Sequence, residues 1–298
     1  MSAVIETRSL TKSYGESRGI NDLSLVVPQG EIFGFLGPNG AGKTTTIRTL
    51  LDLLHPTSGS AEIFGLDSRR DSREIRARIG NLPGDFAYED RTTGRELIQL
   101  FARLRGMSSL GSAEELAERF RADLSKPLRE LSRGNRQKIG LIQALFHNPE
   151  LLILDEPTGG LDPLMQEEFL AVVAEHRDRG ATVFLSSHDL AEVERICDRV
   201  GIIRAGRLAA IESVGEMKGR AYRKVRLTTK GEAQAQVFEQ LPGVDSVAAD
   251  GQAVTFRVLG DLNPVIEAIA AIQVQDLEVT APSLEELFIQ YYDGAAEQ

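Results

Sequence analysis

The stretch from Gly37 to Thr44 reads GPNGAGKT and fits the pattern G-x-x-x-x-G-K-[ST]. It follows a short apolar run, Glu31–Leu36, that is typical of a strand, and it precedes a helical pattern that starts after Lys43 and is closed by Pro56. Glycines let the backbone N–H groups of such a turn face phosphate oxygens, and the N-terminus of the following helix adds positive potential. The sequence therefore predicts a phosphate-binding loop between a strand and a helix.

Two side chains at the end of this loop carry groups suited to a nucleotide. The Lys43 ammonium can reach the β- and γ-phosphates, and the Thr44 hydroxyl can bind Mg²⁺. A chance glycine turn is the alternative, and the strand and helix predicted on either side argue against it. The candidate nucleotide contacts of this region are Gly37, Pro38, Asn39, Gly40, Ala41, Gly42, Lys43, Thr44 and Thr45.

A second motif, LLILDE at Leu151–Glu156, ends an apolar run with two carboxylates. Four apolar residues in a row suit a strand that is covered on both faces. At the tip of that strand, Asp155 would lie near the phosphate loop and hold Mg²⁺, and Glu156 would be free to polarise an attacking water. Taken alone, the motif could also be two solvated acids after a strand.

Strands alternate with helices over the first two thirds of the chain, which predicts an α/β fold with a mainly parallel sheet. A drop in apolar content near Val214–Arg220 places a domain boundary there. The predicted strands are Asn21–Val27, Glu31–Leu36, Leu151–Leu154 and Thr182–Ser186. The predicted helices, besides the one after Lys43, are Leu97–Leu104, Ala113–Arg121, Arg133–Phe146, Pro163–Arg179 and Leu190–Cys197.

The remainder of the chain has a different pattern. Alternating strands at Val244–Ala248 and Ala253–Val258 flank Asp250-Gly251, a strong hairpin signal. With strands at Lys224–Thr229 and Val274–Thr280 and helices at Ala233–Leu241 and Pro264–Ile272, the order is β-α-β-β-α-β, as in ferredoxin-like domains. A last amphipathic helix is predicted at Ser283–Tyr291.

Composition limits the classes of protein that this chain can represent. Its 298 residues include 44 acidic and 34 basic side chains, giving a net charge of −10, which is unfavourable for sequence-independent nucleic-acid binding. The single cysteine cannot form an internal disulfide, which fits a reducing compartment. No apolar run approaches the ~18–20 residues of a membrane-spanning helix, and no secretory signal is visible. We therefore expect neither an integral membrane protein nor a secreted disulfide scaffold, and no nucleic-acid partner.

Three further segments complete a recognisable order. LSRGNRQ at Leu131–Gln137 stands where one family writes LSGGQ-x-Q, and LLILDEPTGGLDP follows at Leu151–Pro163. Ser186-Ser187-His188 and Thr11–Gly15 (TKSYG) match two more of its motifs. The whole chain resembles the ATP-binding subunit of an ABC transporter, of the single-cassette type that serves ABC-2-like exporters. The resemblance implies a P-loop NTPase cassette at residues 1–215, with a helical subdomain at about 85–147, and an α+β accessory domain at 221–298.

The resemblance also implies roles for single residues. Tyr14 would stack on adenine, His188 would contact the γ-phosphate and orient the water, and Asp162 would cross a dimer interface. An ordinary strand-end tyrosine and a surface histidine are the alternatives. Ser132, Gly134 and Asn135 would close the nucleotide site of a second cassette in a head-to-tail dimer, although on the residues alone they indicate only a capped helix.

Two departures from the family pattern affect these expectations. Arg133 and Asn135 replace a glycine and the glutamine of LSGGQ, while the serine and second glycine remain. The glutamine that should follow Leu82-Pro83 is replaced by Gly84-Asp85. Either water fills that position or Asp85 supplies an oxygen, and we favour Asp85. In the family this region contacts the membrane partner, so Phe86–Arg105 is the candidate partner surface, with an ordinary solvated helical face as the alternative.

Together these observations predict an Mg²⁺-dependent ATPase in which Glu156 activates water, His188 orients it and Lys43 holds the phosphates. The enzyme would be a homodimer, peripheral on the cytoplasmic face of the cell membrane, that powers export through a separately encoded permease. A soluble ABC ATPase acting in translation or DNA maintenance and a non-catalytic regulatory module are the rival functions. The cargo cannot be read from this sequence.

Overall fold

The computed structural model describes residues 2–15, 17–85, 91–220, 222–231 and 235–280. The chain divides into two units, Met1–Glu212 and Ser213–Gln298, and each has an apolar core of its own. The segment Val214–Arg220, near which composition placed a boundary, is a helix in the second unit. No helix among the described residues has the length and apolar character needed to cross a membrane.

The strands of the first unit, up to its junction with the second, are β1 (Ala3–Tyr14), β2 (Ser17–Pro28), β3 (Ile32–Leu36), β4 (Ser58–Ile63), β5 (Leu66–Asp67), β6 (Ile79–Leu82), β7 (Leu151–Asp155), β8 (Thr182–Ser187), β9 (Arg199–Arg204) and β10 (Arg207–Ser213). Its helices are α1 (Lys43–Leu50), α2 (Ser72–Arg78), α3 (Gly94–Leu104), α4 (Ala113–Arg119), α5 (Arg133–Leu145), α6 (Pro163–Asp178) and α7 (Leu190–Ile196).

The central sheet of this unit has six strands in the order β10-β9-β3-β8-β7-β6. The pairs β9-β3, β3-β8, β8-β7 and β7-β6 are all parallel, which confirms the predicted α/β fold with a mainly parallel sheet. Every residue of β3, β7 and β8 is buried, as expected for strands covered on both faces. Phe33 and Phe184 stack in the core with ring centroids 5.7 Å apart.

The register of this sheet determines which residues meet at its carboxyl edge. Leu36, the last residue before the phosphate loop, lies opposite Ser187, and Asp155 lies opposite Ser186. The ends of three neighbouring strands, β3, β8 and β7, therefore bring the glycine loop, the Ser186–His188 segment and the two carboxylates to one edge. Ligands of open parallel sheets bind at this edge.

A second sheet, with the order β2-β1-β4-β5, is antiparallel. In this sheet only part of β2 was predicted from the sequence, and β1 was not predicted. The reason is visible in the register of β1 with β2, which shifts between Thr7 and Leu10, and in Ser9, whose φ of 46° lies in the left-handed region. These irregularities interrupt the period of two on which a strand prediction depends.

The second unit contains α8 (Val214–Arg220), β11 (Arg223–Thr229), α9 (Ala235–Glu239), β12 (Val244–Asp250), β13 (Ala253–Val258), α10 (Asn263–Ala270) and β14 (Val274–Thr280). Its antiparallel sheet has the order β12-β13-β11-β14, and Asp250 pairs with Ala253 across the predicted hairpin. Phe238 and Phe256 stack in its core at 4.6 Å. The predicted helix Ser283–Tyr291 lies outside the described residues.

Candidate functional site

The phosphate loop connects β3 to α1 and has a backbone shape that restricts its glycines. Gly42 has a φ of 115°, and α1 begins at the next residue, Lys43. A Cβ atom on Gly37 would lie 2.4 Å from the carbonyl oxygen of Ile203. A side chain is therefore excluded at Gly37 and disfavoured at Gly42. The loop can bind an anion through its backbone amides and through the N-terminus of α1.

Lys43 is a buried cation folded back over this loop, with 5% of its surface exposed. Its Nζ donates to the carbonyl oxygens of Gly37 at 2.6 Å and Pro38 at 3.4 Å, and it forms an ion pair with Glu156 Oε1 at 3.0 Å. A buried ammonium needs charged and polar partners, and a phosphate group at this place would supply them.

A serine that the sequence analysis did not select connects the two carboxylates. The Ser186 hydroxyl donates to Asp155 Oδ1 at 2.5 Å and accepts the backbone N–H of Glu156 at 3.1 Å. Asp155 is 2% exposed, so the hydroxyl satisfies a carboxylate that solvent barely reaches. One side chain of β8 thus fixes the positions of both acidic residues.

Glu156 occupies a strained backbone conformation, with a φ of 51°. Its Oε1 faces Lys43, and its Oε2 lies 2.5 Å from His188 Nδ1. The His188 side chain is 59% exposed, so this row of three residues runs from the protein interior to the surface. Non-glycine residues in the left-handed region persist where the surrounding structure holds them, and such sites cluster where function requires the geometry.

Gly84, at the position of the missing glutamine, lies against Asp155. A Cβ on Gly84 would stand 2.9 Å from Asp155 Oδ2, whereas the neighbouring Asp85 is exposed. The backbone of this segment therefore reaches the carboxylate, and the proposed role of the Asp85 oxygen stays a prediction.

The LSRGNRQ segment contacts the rest of the site through backbone and amide groups. Ser132 caps α5 by accepting the Asn135 N–H at 3.3 Å, and a Cβ on Gly134 would be 2.3 Å from the Gly160 carbonyl oxygen. Gln137 Nε2 donates to the carbonyl oxygens of Glu156 at 3.2 Å and Pro157 at 2.9 Å. No role of Gln137 was predicted from the sequence. Its place in the motif was visible, but its partners lie about 20 residues away in the chain.

The remaining predicted contacts lie on several different elements of the first unit. Tyr14 ends β1, is 43% exposed, and has the Lys12 ammonium 5.4 Å from its ring centroid. Asp162 caps α6 by accepting the Met165 N–H at 3.0 Å. Pro38, Asn39, Gly40, Ser132 and Asn135 are exposed, whereas Thr44 and Thr45 are half-buried.

The oxygen donors at the centre fit a magnesium ion that is shared with a nucleotide. Among the described residues no group of three or more His, Cys, Asp or Glu side chains could hold a metal by itself. Mg²⁺ in nucleotide sites typically takes one or two protein oxygens, with phosphate oxygens and waters completing its shell. The buried Asp155 carboxylate and the half-buried Thr44 hydroxyl are donors of that kind.

Two family profiles match this chain. The family described as "ABC transporter" matches residues 20–159. The family described as "ATP-binding protein DrrA1-3-like, C-terminal domain" matches residues 213–292. The first match includes the phosphate loop and the two carboxylates, and the second falls on the second unit.

Similar proteins have been curated in several bacteria. The chain is 36% identical to the bacitracin transport ATP-binding protein BcrA of Bacillus licheniformis, over 99% of each chain. It is 34% identical to the daunorubicin/doxorubicin resistance ATP-binding protein DrrA of Streptomyces peucetius, over 96% of this chain and 91% of that protein. The similarity therefore extends over both units.

A solved structure, that of an ATP-binding subunit of an ABC transporter, is 31% identical to this chain. It covers 72% of this chain and 92% of its own, with a TM-score of 0.67. Such subunits bind and hydrolyse ATP, and the phosphate loop, buried lysine and paired carboxylates described above are suited to that reaction. The chain belongs to the ATP-binding subunits of ABC transporters and is an ATPase.

Proposed function

We propose that this ATPase powers export of a cargo through a separate membrane permease, and that it works as a head-to-tail dimer at the cytoplasmic face of the cell membrane. The relatives named for bacitracin transport and for daunorubicin resistance support export as the direction.

The phosphate loop holds the nucleotide through its backbone amides and the Lys43 ammonium. Lys43 is already buried and oriented by the carbonyl oxygens of Gly37 and Pro38, so little conformational entropy is lost when phosphate binds. Tyr14, which is 43% exposed, provides a ring face on which adenine stacks.

Glu156 is the general base for the attacking water. The reaction adds water to the γ-phosphorus and breaks its bond to the bridging oxygen, giving ADP and inorganic phosphate with release of a proton. The observation that carries this assignment is the row Lys43–Glu156–His188, in which each carboxylate oxygen has its own basic partner, at 3.0 Å and 2.5 Å. Such a carboxylate is fixed in orientation, and His188 lies where it can orient the water or γ-phosphate.

Thr44 and Asp155 would hold Mg²⁺ with the nucleotide phosphates, and this ion would neutralise charge that develops on the phosphate oxygens. The protein's part is to fix the Asp155 carboxylate in position. The Ser186 hydroxyl does this by donating a hydrogen bond of 2.5 Å to Asp155 Oδ1.

The start of α5 supplies the second half of each site in the dimer. Ser132 and Asn135 are exposed on the described chain, so they are accessible to a nucleotide on a partner. The close packing of Gly134 on Gly160 holds this helix start against the loop that contains Asp162. The dimeric state follows from the two half-sites that each chain would contribute.

A groove of about 390 Å³ beside α3 is suited to a cytoplasmic segment of the permease. Leu53 and Leu104 are 58% and 72% exposed along it, and Arg73 and Arg76 also line it. An apolar side chain flanked by an acidic group would complement this lining. The groove includes residues of the predicted surface Phe86–Arg105, of which 86–90 lie outside the described residues.

A single substitution tests the chemical part of this proposal. In Glu156→Gln the amide cannot accept the proton, and we expect ATP turnover to fall by about 10²-fold or more while ATP binding persists. Phosphate release by the purified protein and binding of a fluorescent ATP analogue are the measurements. Glu115→Gln on the exposed surface of α4 is the matched control. Normal turnover in Glu156→Gln would contradict the assignment of the base.

A further inference from the structure

A buried acidic residue outside the nucleotide contacts lies four positions after His188, in α7. Glu192 is 8% exposed, and its Oε2 accepts a hydrogen bond from the Ser187 hydroxyl at 2.6 Å. Its other oxygen, Oε1, is buried and has no hydrogen-bond partner among the described residues. Burying a carboxyl group costs free energy of folding unless its oxygen atoms are hydrogen-bonded, so the burial of Glu192 needs a physical explanation.

The partner of Glu192 organises the turn that carries His188. The Ser187 hydroxyl accepts the Asp189 N–H at 2.9 Å and also lies 3.3 Å from the Asp189 carbonyl oxygen. The backbone carbonyl of Ser187 accepts the N–H of Gly37, the first residue of the phosphate loop, at 3.3 Å. Ser187 therefore fixes the residue that follows His188 and is itself attached to the phosphate loop.

The surroundings of Glu192 favour its neutral form. Burial raises its pKa from 4.5 to about 7, and the charges of Asp189 and Glu156 act in the same direction. The hydrogen bond from the Ser187 hydroxyl counteracts part of the rise. Cys197, at the end of α7, is a thiol whose pKa is raised by burial and by Glu192. The strands on which α7 packs, β3 and β8, contain no charged residue.

The two protonation states of Glu192 differ in the direction of its hydrogen bond. The ionised carboxylate accepts the only hydrogen of the Ser187 hydroxyl. The protonated carboxyl donates to the Ser187 oxygen instead, which releases the hydroxyl hydrogen to the Asp189 carbonyl oxygen. In the protonated state, both the N–H and the carbonyl of Asp189 are then held by one side chain.

We propose that Glu192 is a positioning residue for ATP hydrolysis: its carboxyl group holds the Ser187 hydroxyl, and through it the turn that presents His188 to Glu156. The inference rests on the roles proposed above for His188 and Glu156. Glu192 acts through Ser187 and does not contact the nucleotide.

Three single variants and the double variant Glu192→Ala/Ser187→Ala test the positioning role by steady-state kinetics of the purified protein with MgATP. In Glu192→Ala we expect kcat to fall about tenfold or more, with KM for ATP within about twofold of wild type, because only the turn is disturbed. Glu192→Gln can still donate to Ser187 and keeps a kcat within about threefold of wild type. Ser187→Ala should resemble Glu192→Ala, and the double variant should be no slower than either single variant.

The pH profile separates positioning from packing. Wild-type kcat should decrease as pH rises through about 7, where Glu192 ionises, and this decrease should be absent in Glu192→Gln, whose amide does not titrate. If the role of Glu192 were purely structural, the pH profiles of kcat for wild type and Glu192→Gln would have the same shape. If Glu192→Ala does not fold, as judged by its thermal transition, the profile of Glu192→Gln decides.

Several outcomes would overturn the inference: a wild-type kcat in Glu192→Ala, a Glu192→Gln variant as slow as Glu192→Ala, or losses that multiply in the double variant. His188→Ala is measured in the same series. If His188→Ala turns over normally, the role proposed for His188 fails. If it is slow while Glu192→Ala is normal, only the role of Glu192 fails. Glu115→Gln serves as the surface control.

Discussion

Gly84 touches the carboxylate of Asp155: a Cβ atom on Gly84 would stand 2.9 Å from Oδ2 and 3.2 Å from Cγ. The carboxylate cannot move away freely, because its Oδ1 is bound by Ser186 at 2.5 Å. At the position where the family pattern has a glutamine, this chain therefore brings its bare backbone to the proposed metal ligand. The absence of a side chain at residue 84 is a requirement of this arrangement.

Replacing Gly84 by alanine should disturb Asp155. The added methyl group displaces the carboxylate from Ser186, and we expect ATP turnover to fall about tenfold, with a higher Mg²⁺ concentration needed for half-maximal activity. Titration of ATPase activity with Mg²⁺ is the measurement. Gly231→Ala is a suitable control, because a Cβ there meets nothing within 4 Å. An unchanged Mg²⁺ titration in Gly84→Ala would show that the contact is not functional.

Asp85 is the residue that we expect to supply an oxygen in place of the missing glutamine. It is exposed beside Gly84, so its removal should not affect folding. In Asp85→Ala we expect ATP turnover to decrease several-fold. We also expect a higher Mg²⁺ concentration to be needed for half-maximal activity. Asp276→Ala, on an exposed position of β14, controls for the loss of one negative charge. If Asp85→Ala keeps normal Mg²⁺ dependence and turnover, water fills this position instead.

His147 should make the first unit sensitive to acid. Burial, the charge of Arg105 and that of His176 lower its pKa from 6.5 to about 4, and a hydrogen bond to Ile79 partly opposes this. Between these two values the unfolded chain binds a proton that the folded protein does not, so stability decreases as pH falls from 6.5 toward 4.

Replacing His147 by glutamine should remove this sensitivity. We expect the loss of unfolding free energy between pH 7 and pH 5 to be smaller by at most about 2 kcal/mol. Urea unfolding at the two pH values measures it. Arg103→Gln, at an exposed position of α3, is the control for introducing a glutamine side chain. Equal pH dependence in His147→Gln and wild type would mean that His147 is not the responsible group.

Leu104 should contribute to attachment to the membrane partner. It is 72% exposed at the end of α3, on the groove beside Arg105. For Leu104→Glu we expect the fraction of the protein that co-sediments with membranes to fall about tenfold, because a charge replaces an apolar contact. The membranes are taken from the cells that naturally produce the protein. Ile266→Glu, at a position of the second unit that is 56% exposed, should sediment as wild type. Identical sedimentation of Leu104→Glu and wild type would exclude this surface.

The sequence predicted the parts of the site whose signals are local. The glycine loop, Lys43 and the two carboxylates follow from short motifs beside a strand, and the structure places them at one edge of the central sheet. Ser186 and Gln137 were missed as functional side chains, because their partners are brought close only by the pairing of β7 with β8 and by the packing of α5.

The fold shows the same division between local and distant signals. Buried strands such as β7 were predicted because an uninterrupted apolar run needs no knowledge of its neighbours. The irregular strand β1 depends on pairing with β2 and β4, which no local pattern reveals. The hairpin at Asp250-Gly251 was predicted because its turn is encoded by adjacent residues.

Helix α5 has one further consequence for a pair of subunits. Ser132 at its start and Gln137, five residues later, are separated by about 7.5 Å along the helix axis. In the proposed dimer, Ser132 faces the nucleotide of the partner, while Gln137 holds the loop of its own Glu156. In that dimer the start of α5 would connect the two ATP sites. We therefore predict that nucleotide binding at one site shifts Glu156 of the other, so that the two sites hydrolyse ATP in a coordinated way.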